Sequence, residues 1–331
     1  MKSFTFSLIF MLLSSSVFAA PAASFSDGAN AVKQGNYHTA LNIFRDLADL
    51  GNPRAENAMG NLYLKGLGVK QNYTEARRWY TLAADSGYIS ARHTLALIYF
   101  NGMGVKKDPP AGVLQLRTAA EAGYAPSQYI LAQVYRKGEY IQRDMKQVVT
   151  WLEKAAQQGD VQAQVELAEL YGSGHGTAKD EKAANAFLQQ AADHGHGGAA
   201  AQLAGYYIRG ERGIEANAAL AIKYYHIAAA SNDHAAALHA FNRLGMIYHQ
   251  GVIVPVDFEK AFQWTEKAAN MGVISARNRL GVMYMRGQGV APNDAKALTW
   301  IKKAADDSIS PGDKAAQNNL GMMYAGGHGV T

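Results

Sequence analysis

The sequence contains no cysteine among its 331 residues. Disulfide bonds, thiolate nucleophiles, zinc–thiolate sites and iron–sulfur clusters are therefore excluded. A strong excess of one charge is also missing, because 32 basic residues face 27 acidic ones and leave a formal net charge of +5. The basic residues form no stripe or cluster, which argues against a dedicated nucleic-acid-binding protein. With 48% hydrophobic residues, the chain can nevertheless bury a sizeable core.

Long hydrophobic runs are also absent, except at the start of the chain. Lys2 precedes an apolar run from Phe4 to Leu13, and small residues follow it. This pattern predicts a secretory signal peptide at residues 1–19, cleaved after Ala19. An uncleaved anchor is the less favoured alternative, because the run is shorter than the roughly 20 residues that span a bilayer. We therefore expect an exported protein, in the periplasm first and in the extracellular medium second.

A repeat of about 36 residues organises the rest of the chain. A short linker and a divergent hairpin occupy residues 20–54, and residues 55–331 hold eight units, of which the last is incomplete. The units start near residues 55, 91, 127, 163, 199, 240, 276 and 316. Their ninth position is always tyrosine: Tyr63, Tyr99, Tyr135, Tyr171, Tyr207, Tyr248, Tyr284 and Tyr324. The four tryptophans share another position: Trp79, Trp151, Trp264 and Trp300. Identical placement favours an internal core over a ligand-stacking surface.

Each unit is predicted to form two helices. Small and apolar residues three and four apart, such as Ala55, Met59 and Tyr63, mark one face of the first helix. A Gly-x-Gly-Val step ends that helix, since glycine tolerates a positive φ. Asn or Asp then recurs at the eighteenth position of six units and caps the second helix. Because one hairpin cannot bury its own apolar face, we predict an all-α solenoid of stacked helical hairpins.

The repeat pattern resembles a known family. It reads Ala-x-x-x-Leu-Gly-x-x-Tyr-x-x-Gly-x-Gly-Val, followed by Asp, Lys-Ala, Trp and Lys-Ala-Ala, and residues 242–248 and 260–269 match it closely. It is similar to the Sel1-like repeat (SLR) family, a branch of the tetratricopeptide-repeat (TPR) superfamily. The resemblance implies a right-handed α/α superhelix that acts as an adaptor. Exported bacterial members often act in envelope assembly, signalling or contact with host cells. The unit starting at Ala199 departs from the pattern, because Arg212 replaces a loop glycine and one residue is inserted.

The last unit stops at Thr331, after its first helix and turn. Terminal repeats normally need a polar outer surface. Two expectations stay open: the native chain continues past Thr331, or a partner covers the face with Leu320 and Tyr324.

Catalytic and cofactor chemistry find little support in the sequence. The Gly-x-Gly steps lack the preceding strand of a phosphate-binding loop and are interpreted as turns. The histidines His175, His194, His196 and His234 show no metal-ligand spacing, so we expect no metal site and no cofactor. Motifs of serine hydrolases and metalloproteases are absent, which predicts that the protein is not an enzyme. The alternative is an envelope enzyme or cell-wall glycan binder, β-lactamase-like or peptidoglycan-related.

Candidate binding residues occupy positions that vary while their neighbours recur. Alignment with the superfamily helix places the third, seventh, tenth and eleventh residues of each unit on the concave groove. The candidates are Asn57, Asn61, Lys65, His93, Phe100, Tyr129, Arg136, Lys137, Arg209, Asn242, His249, Asn278 and Arg286. Asparagine amides can bond a peptide backbone, and Lys and Arg attract carboxylates. We therefore expect a non-catalytic scaffold that binds a partner protein or peptide in its groove, with no nucleic acid and no membrane span after signal cleavage.

Overall fold

The computed structural model of the protein describes residues 23–306 and 313–329. The predicted signal peptide lies outside these residues. The chain divides into two compact units, Met1–Ala122 and Gly123–Thr331. Every regular element in the two described ranges is an α-helix, and consecutive helices pack as hairpins. The predicted all-α class of stacked helical hairpins is therefore confirmed.

The first unit contains six of the described helices. They are α1 (Phe25–Lys33), α2 (Tyr37–Asp49), α3 (Pro53–Lys65), α4 (Tyr73–Asp85), α5 (Ile89–Asn101) and α6 (Pro109–Glu121). We call the first helix of each repeat its A helix and the second its B helix. In this unit the A helices are α3 and α5, and the hairpin of α1 and α2 precedes them.

The second unit continues the same alternation. Its helices are α7 (Ala125–Lys137), α8 (Met145–Gln157), α9 (Val161–Ser173), α10 (Glu181–Asp193), α11 (Gly197–Arg209), α12 (Ala218–Ala230), α13 (His234–Gln250), α14 (Phe258–Asn270), α15 (Ile274–Arg286), α16 (Asp294–Ala305) and α17 (Lys314–Ala325). The odd-numbered helices are the A helices, and the even-numbered helices are the B helices.

The core of the second unit is centred on the fifth position of the A helices. This leucine is at most 1% exposed in five consecutive A helices: Leu131, Leu167, Leu203, Leu244 and Leu280. Within the unit, α9, α11, α13 and α15 each pack against their own B helix and against the B helix before it. Paired alanines such as Ala191 and Ala192, both 0% exposed, allow the helices to approach closely.

The turn between the A and B helices is held by the ninth-position tyrosine through its backbone. In seven repeats the backbone N–H of the B-helix N-cap residue donates to the carbonyl oxygen of that tyrosine, at 2.8–3.3 Å. The pairs are Asn72–Tyr63, Asp108–Tyr99, Asp144–Tyr135, Asp180–Tyr171, Asn217–Tyr207, Asp257–Tyr248 and Asn293–Tyr284. The side chain of each cap residue then accepts a backbone N–H of the first helical turn.

The second glycine of the turn fixes the distance to the preceding repeat. A Cβ at Gly176 would lie 2.7 Å from the carbonyl oxygen of Met145, and one at Gly289 would lie 2.0 Å from that of Phe258. Met145 and Phe258 are the first residues of α8 and α14. Arg212 takes this position in the fifth repeat with φ of 60°, the one positive φ of a non-glycine residue in the described chain. The substitution keeps the left-handed backbone that the turn needs.

Position-two side chains also tie successive repeats of the second unit together. The Nε2 of Gln164 donates to the carbonyl oxygen of Ala156 at 3.2 Å. Likewise, the Nε of Arg277 reaches the carbonyl oxygen of Ala269 at 3.4 Å. Both carbonyls lie near the end of a B helix, where backbone oxygens lack intrahelical partners. These contacts join the end of one hairpin to the start of the next.

Two of the four tryptophans are less deeply buried than the sequence predicts. Trp79 and Trp151 are 8% and 6% exposed, as predicted for the core. Trp264 and Trp300 pack against the core but are only half-buried, so the predicted internal position is confirmed for them only in part. A lysine three residues later covers each: Lys267 Nζ lies 4.3 Å from the Trp264 ring centroid, and Lys303 Nζ lies 4.6 Å from that of Trp300. The ammonium group can thus contact the aromatic face and still remain in water.

Candidate protein-binding face

Side chains at positions three and four of the A helices meet across neighbouring repeats of the second unit. Three pairs are hydrogen-bonded: Tyr129 Oη to Glu166 Oε1 at 2.7 Å, Arg279 Nη1 to Asn242 Oδ1 at 3.2 Å, and Asn319 Nδ2 to Asn278 Oδ1 at 2.9 Å. Position three of one A helix therefore lies beside position four of the next. We call the surface formed by positions three, four, seven, ten and eleven of α7, α9, α11, α13, α15 and α17 the A-helix face.

Glu166 is the centre of a polar network on this face. Its carboxylate accepts hydrogen bonds from Tyr129 Oη and from Gln133 Nε2, the latter at 2.9 and 3.0 Å to its two oxygens. Arg136 Nη2 lies 2.7 Å from Oε2 of Glu166, and the two side chains are 33% and 19% exposed. Three groups of α7 thus converge on one carboxylate of α9. Tyr129 and Arg136, predicted as partner contacts, have a binding partner inside the protein.

The network changes the acidity of Tyr129. Burial, followed by the hydrogen bond and the negative charge of Glu166, raises the pKa of the Tyr129 phenol to about 12. The phenol therefore remains a hydrogen-bond donor throughout the neutral range. In the pair of Asn242 and Arg279, which joins α13 and α15, burial lowers the pKa of the Arg279 guanidinium.

The other predicted binding residues of the second unit differ in whether their side chains contact other residues of the protein. Arg209 Nε lies 2.6 Å from Glu211 Oε1 within the same turn. His249 Nε2 lies 3.2 Å from Gln288 Oε1, and Asn278 also donates to Asp313 Oδ2 at 3.4 Å. By contrast, Lys137 and Arg286, near the ends of α7 and α15, are exposed. Neither makes an ion pair with a residue in the described ranges.

The candidates of the first unit lie on α3 and α5. Asn61 accepts a hydrogen bond from Tyr80 Oη at 2.9 Å, within one hairpin. Asn57 is half-buried and Lys65 is exposed. His93 is half-buried, and burial lowers the pKa of its imidazole. The ring of Phe100 packs on Gly112, where an added Cβ would lie 2.9 Å from the ring.

Sequence reasoning missed the position-four residues. Glu166, Arg279 and Asn319 each bond a predicted position-three residue, yet position four was absent from the predicted groove. A signal for them existed, since position four changes from Ala58 to Glu166 to Arg279 between repeats. The sequence also missed Asn217 as an N-cap, because one inserted residue moves it from the eighteenth position to the nineteenth.

Two of the four histidines considered as metal ligands, His194 and His196, have structural contacts. His194 Nδ1 lies 3.0 Å from Gln164 Oε1, and His196 caps α11 by accepting the backbone N–H of Ala199 at 3.1 Å. Among residues 23–306 and 313–329, no group of three or more His, Asp or Glu residues is arranged to hold a metal ion. In the same ranges, none of the helices has the length and apolar character needed to cross a membrane.

The comparisons with known proteins now define the class. The Sel1 repeat model matches eight consecutive segments: residues 53–88, 89–124, 125–160, 161–196, 198–233, 239–273, 274–308 and 314–331. The chain therefore belongs to the Sel1 repeat family, within the TPR-like superfamily. Proteins built from such repeats generally mediate protein–protein interactions, and the family is generally non-catalytic.

Two solved structures are similar over most of the chain. One is c5321, a protective antigen of uropathogenic Escherichia coli strains with an SLR fold, at 28% identity and a TM-score of 0.60. The match covers 93% of this chain, which spans 66% of the length of that structure. The other is a Sel1 repeat protein from Oxalobacter formigenes, at 30% identity and a TM-score of 0.57, covering 90% of this chain and 86% of that one. No curated protein matches the sequence significantly.

Proposed function

We propose that this protein is an exported, non-catalytic adaptor that binds an extended segment of a partner protein on its A-helix face. The proposal rests on the family, whose members generally bind other proteins, and on one feature of the second unit. That feature is the set of hydrogen bonds between neighbouring A helices, which fixes side chains before any partner arrives.

Fixed side chains favour binding for a thermodynamic reason. Association costs conformational entropy for every side chain that must be ordered at the interface, and preorganisation reduces that cost. Tyr129 and Gln133 are already held by Glu166, and Asn242 by Arg279. The remaining donors and acceptors of the asparagine amides are suited to an extended peptide backbone.

Charge indicates which segments would bind. Lys137 and Arg286 are exposed on the A-helix face and have no carboxylate partner in the described part of the chain. They would attract acidic side chains or a terminal carboxylate. Arg136 contributes less to this attraction, because Glu166 already neutralises it.

Export is part of the proposal. Its support is the charged start, apolar run and small residues of the first part of the sequence. The description of the E. coli relative as a protective antigen is consistent with a protein outside the cytoplasm. We propose the periplasm as the location and secretion as the second possibility.

Charge reversal tests the binding face. The variant Lys137→Glu/Arg286→Glu changes two exposed cations of the A-helix face. The matched control, Lys146→Glu/Lys182→Glu, changes two exposed cations of the B helices α8 and α10. Tagged proteins are purified from envelope extracts of the native cell, and bound proteins are quantified by mass spectrometry. We expect the first variant to recover about 5- to 30-fold less of one partner protein, which corresponds to a loss of about 1–2 kcal/mol of binding free energy. The control variant should recover as much of that partner as the unmodified protein.

Two outcomes would contradict this function. One is an unchanged set of bound proteins in the A-helix variant. The other is turnover of a β-lactam or a cell-wall glycan by the purified protein, which would support the enzymatic alternative.

A further inference from the structure

A cavity of about 490 Å³ opens between α9, α10 and α11 in the second unit. Its walls include the apolar side chains of Val165, Ala168 and Leu188. Gly172 and the Arg212 side chain also line it. The volume lies within the range of about 300–1,000 Å³ that small-ligand sites occupy.

The cavity lies where one repeat has no side chain at position ten. Other repeats have larger residues there: Leu64, Phe100, Arg136, Ile208, His249, Met285 and Ala325. The fourth repeat has Gly172. A Cβ added at Gly172 would meet only ordinary van der Waals neighbours, 3.8 Å from Ala184 Cβ and 3.9 Å from Arg212 Nη1. Folding therefore does not require glycine here, and its φ is not positive.

The second repeat shows what fits in such a space. Phe100 occupies position ten there, and its ring packs against Gly112 on the B helix. Ala184 is the residue of the fourth repeat that corresponds to Gly112, four residues after the helix cap in both cases. The fold therefore accommodates a phenyl ring between position ten and the B helix.

We propose that the cavity at Gly172 binds one aromatic side chain of the partner segment. This inference rests on the proposed function and names the anchor residue of that partner. The ring would take the place that Phe100 fills in the second repeat and would be supplied by another protein. A buried aromatic residue in a pocket is a common anchor of protein interfaces.

Arg212 favours an aromatic side chain over an aliphatic one. Its guanidinium lies at the cavity wall, close to where a side chain on residue 172 would begin. Guanidinium groups attract the electron-rich face of an aromatic ring, and an aliphatic side chain lacks that interaction.

Arg212 is also held in place. Its Nη1 lies 3.1 and 3.2 Å from the two carboxylate oxygens of Glu181, and its carbonyl oxygen accepts a hydrogen bond from Asn185 Nδ2 at 2.7 Å. Two departures from the repeat pattern, Gly172 and Arg212, therefore line one cavity.

A capped amino acid tests this inference without knowledge of the partner. The probe is N-acetyl-phenylalanine methylamide, and N-acetyl-leucine methylamide is the aliphatic control. Binding is followed by NMR of the full chain with labelled methyl groups of alanine, leucine and valine. We expect saturable shifts of the Ala168, Ala184 and Leu188 methyl groups, with a dissociation constant on the order of 1 mM for so small a ligand. We also expect the phenylalanine probe to bind about 2- to 5-fold more tightly than the leucine probe.

Three variants test the site. Gly172→Phe fills the cavity with its own ring and should abolish the shifts. Gly172→Met, which introduces the residue found at this position in the seventh repeat, gives the same test with a more flexible side chain. Arg212→Gly restores the glycine of the other turns, where φ is positive, and should remove the preference for phenylalanine while leaving weak binding.

Three outcomes would contradict the proposed aromatic anchor. No saturable shift of the cavity methyl groups, the same shifts in Gly172→Phe and Gly172→Met, or equal binding of the two probes would each overturn the aromatic anchor. None of these outcomes affects the charge-reversal test of the A-helix face. Failure of the aromatic anchor can therefore be distinguished from failure of the proposed binding function.

Discussion

Arg136 of α7 and Glu166 of α9 form an ion pair between neighbouring A helices, with Nη2 2.7 Å from Oε2. The same carboxylate accepts hydrogen bonds from Tyr129 and Gln133. Residues that a repeat pattern predicts as partner contacts therefore also stabilise the stacking of repeats. In this protein, the proposed binding face and the contacts between hairpins share side chains.

Removal of Glu166 should weaken this stacking. In Glu166→Ala the half-buried donors of α7 lose their common acceptor, so we expect the free energy of unfolding to fall by about 1–3 kcal/mol. Urea unfolding measures the change. Glu169→Ala is the control, because Glu169 is exposed on the same helix and should change stability by less than about 0.5 kcal/mol. Equal effects of the two substitutions would show that the network does not stabilise the fold.

The phenol of Tyr129 should make stability depend on pH in the alkaline range. Its pKa is raised from 10.0 to about 12 in the folded protein. Above pH 10 the unfolded chain releases this proton while the folded chain keeps it. The contribution of Tyr129 is therefore complete below pH 10 and is lost as pH rises towards 12. Tyrosine Cζ shifts in NMR measure the titration, with Tyr129→Phe to assign the resonance.

Glu166→Gln separates the causes of this shift. The substitution removes the negative charge but leaves the phenol half-buried. We expect the pKa of Tyr129 to fall and to remain above its ordinary value, because burial is the largest cause. An unchanged pKa in Glu166→Gln would contradict the geometry of the network.

Two glycines distinguish backbone strain from close approach. Gly159 and Gly176 have φ of 87° and 82°, so alanine should cost about 1–2 kcal/mol at either position. A Cβ at Gly159 meets nothing within 4 Å, whereas one at Gly176 would lie 2.7 Å from the Met145 carbonyl oxygen. We therefore expect Gly176→Ala to cost about 2–5 kcal/mol in total. Thermal and urea unfolding of both variants measure the difference, and equal losses would rule out the close contact between repeats.

The fold was predictable because the same local sequence signals for helix ends recur in each repeat. Glycines that end A helices and Asn or Asp residues that cap B helices act within a few residues of sequence. Recurrence in step then identifies the architecture. Asn217 was not predicted as an N-cap because an inserted residue moves it from the eighteenth to the nineteenth position of its repeat.

The contacts on the A-helix face were harder to predict, for a physical reason. Which side chains meet depends on the stacking of one hairpin on the next, and the spacing within a repeat does not encode it. Glu166 and Tyr129 are 37 residues apart, and the cavity at Gly172 needs three helices to form. The surroundings of Trp264 likewise depend on packing between hairpins, since its ring contacts the ring of His226 from the preceding repeat.

Site-specific photocrosslinking tests the central claim most directly. A photoreactive phenylalanine analogue replaces Lys137 or Arg286 on the A-helix face, and Lys146 or Lys182 on the B helices. After illumination of the native cells, crosslinked proteins are identified by mass spectrometry. Binding on the A-helix face predicts one shared partner protein at the first two positions and none at the other two. The same partner crosslinked only through the B-helix positions would contradict the account.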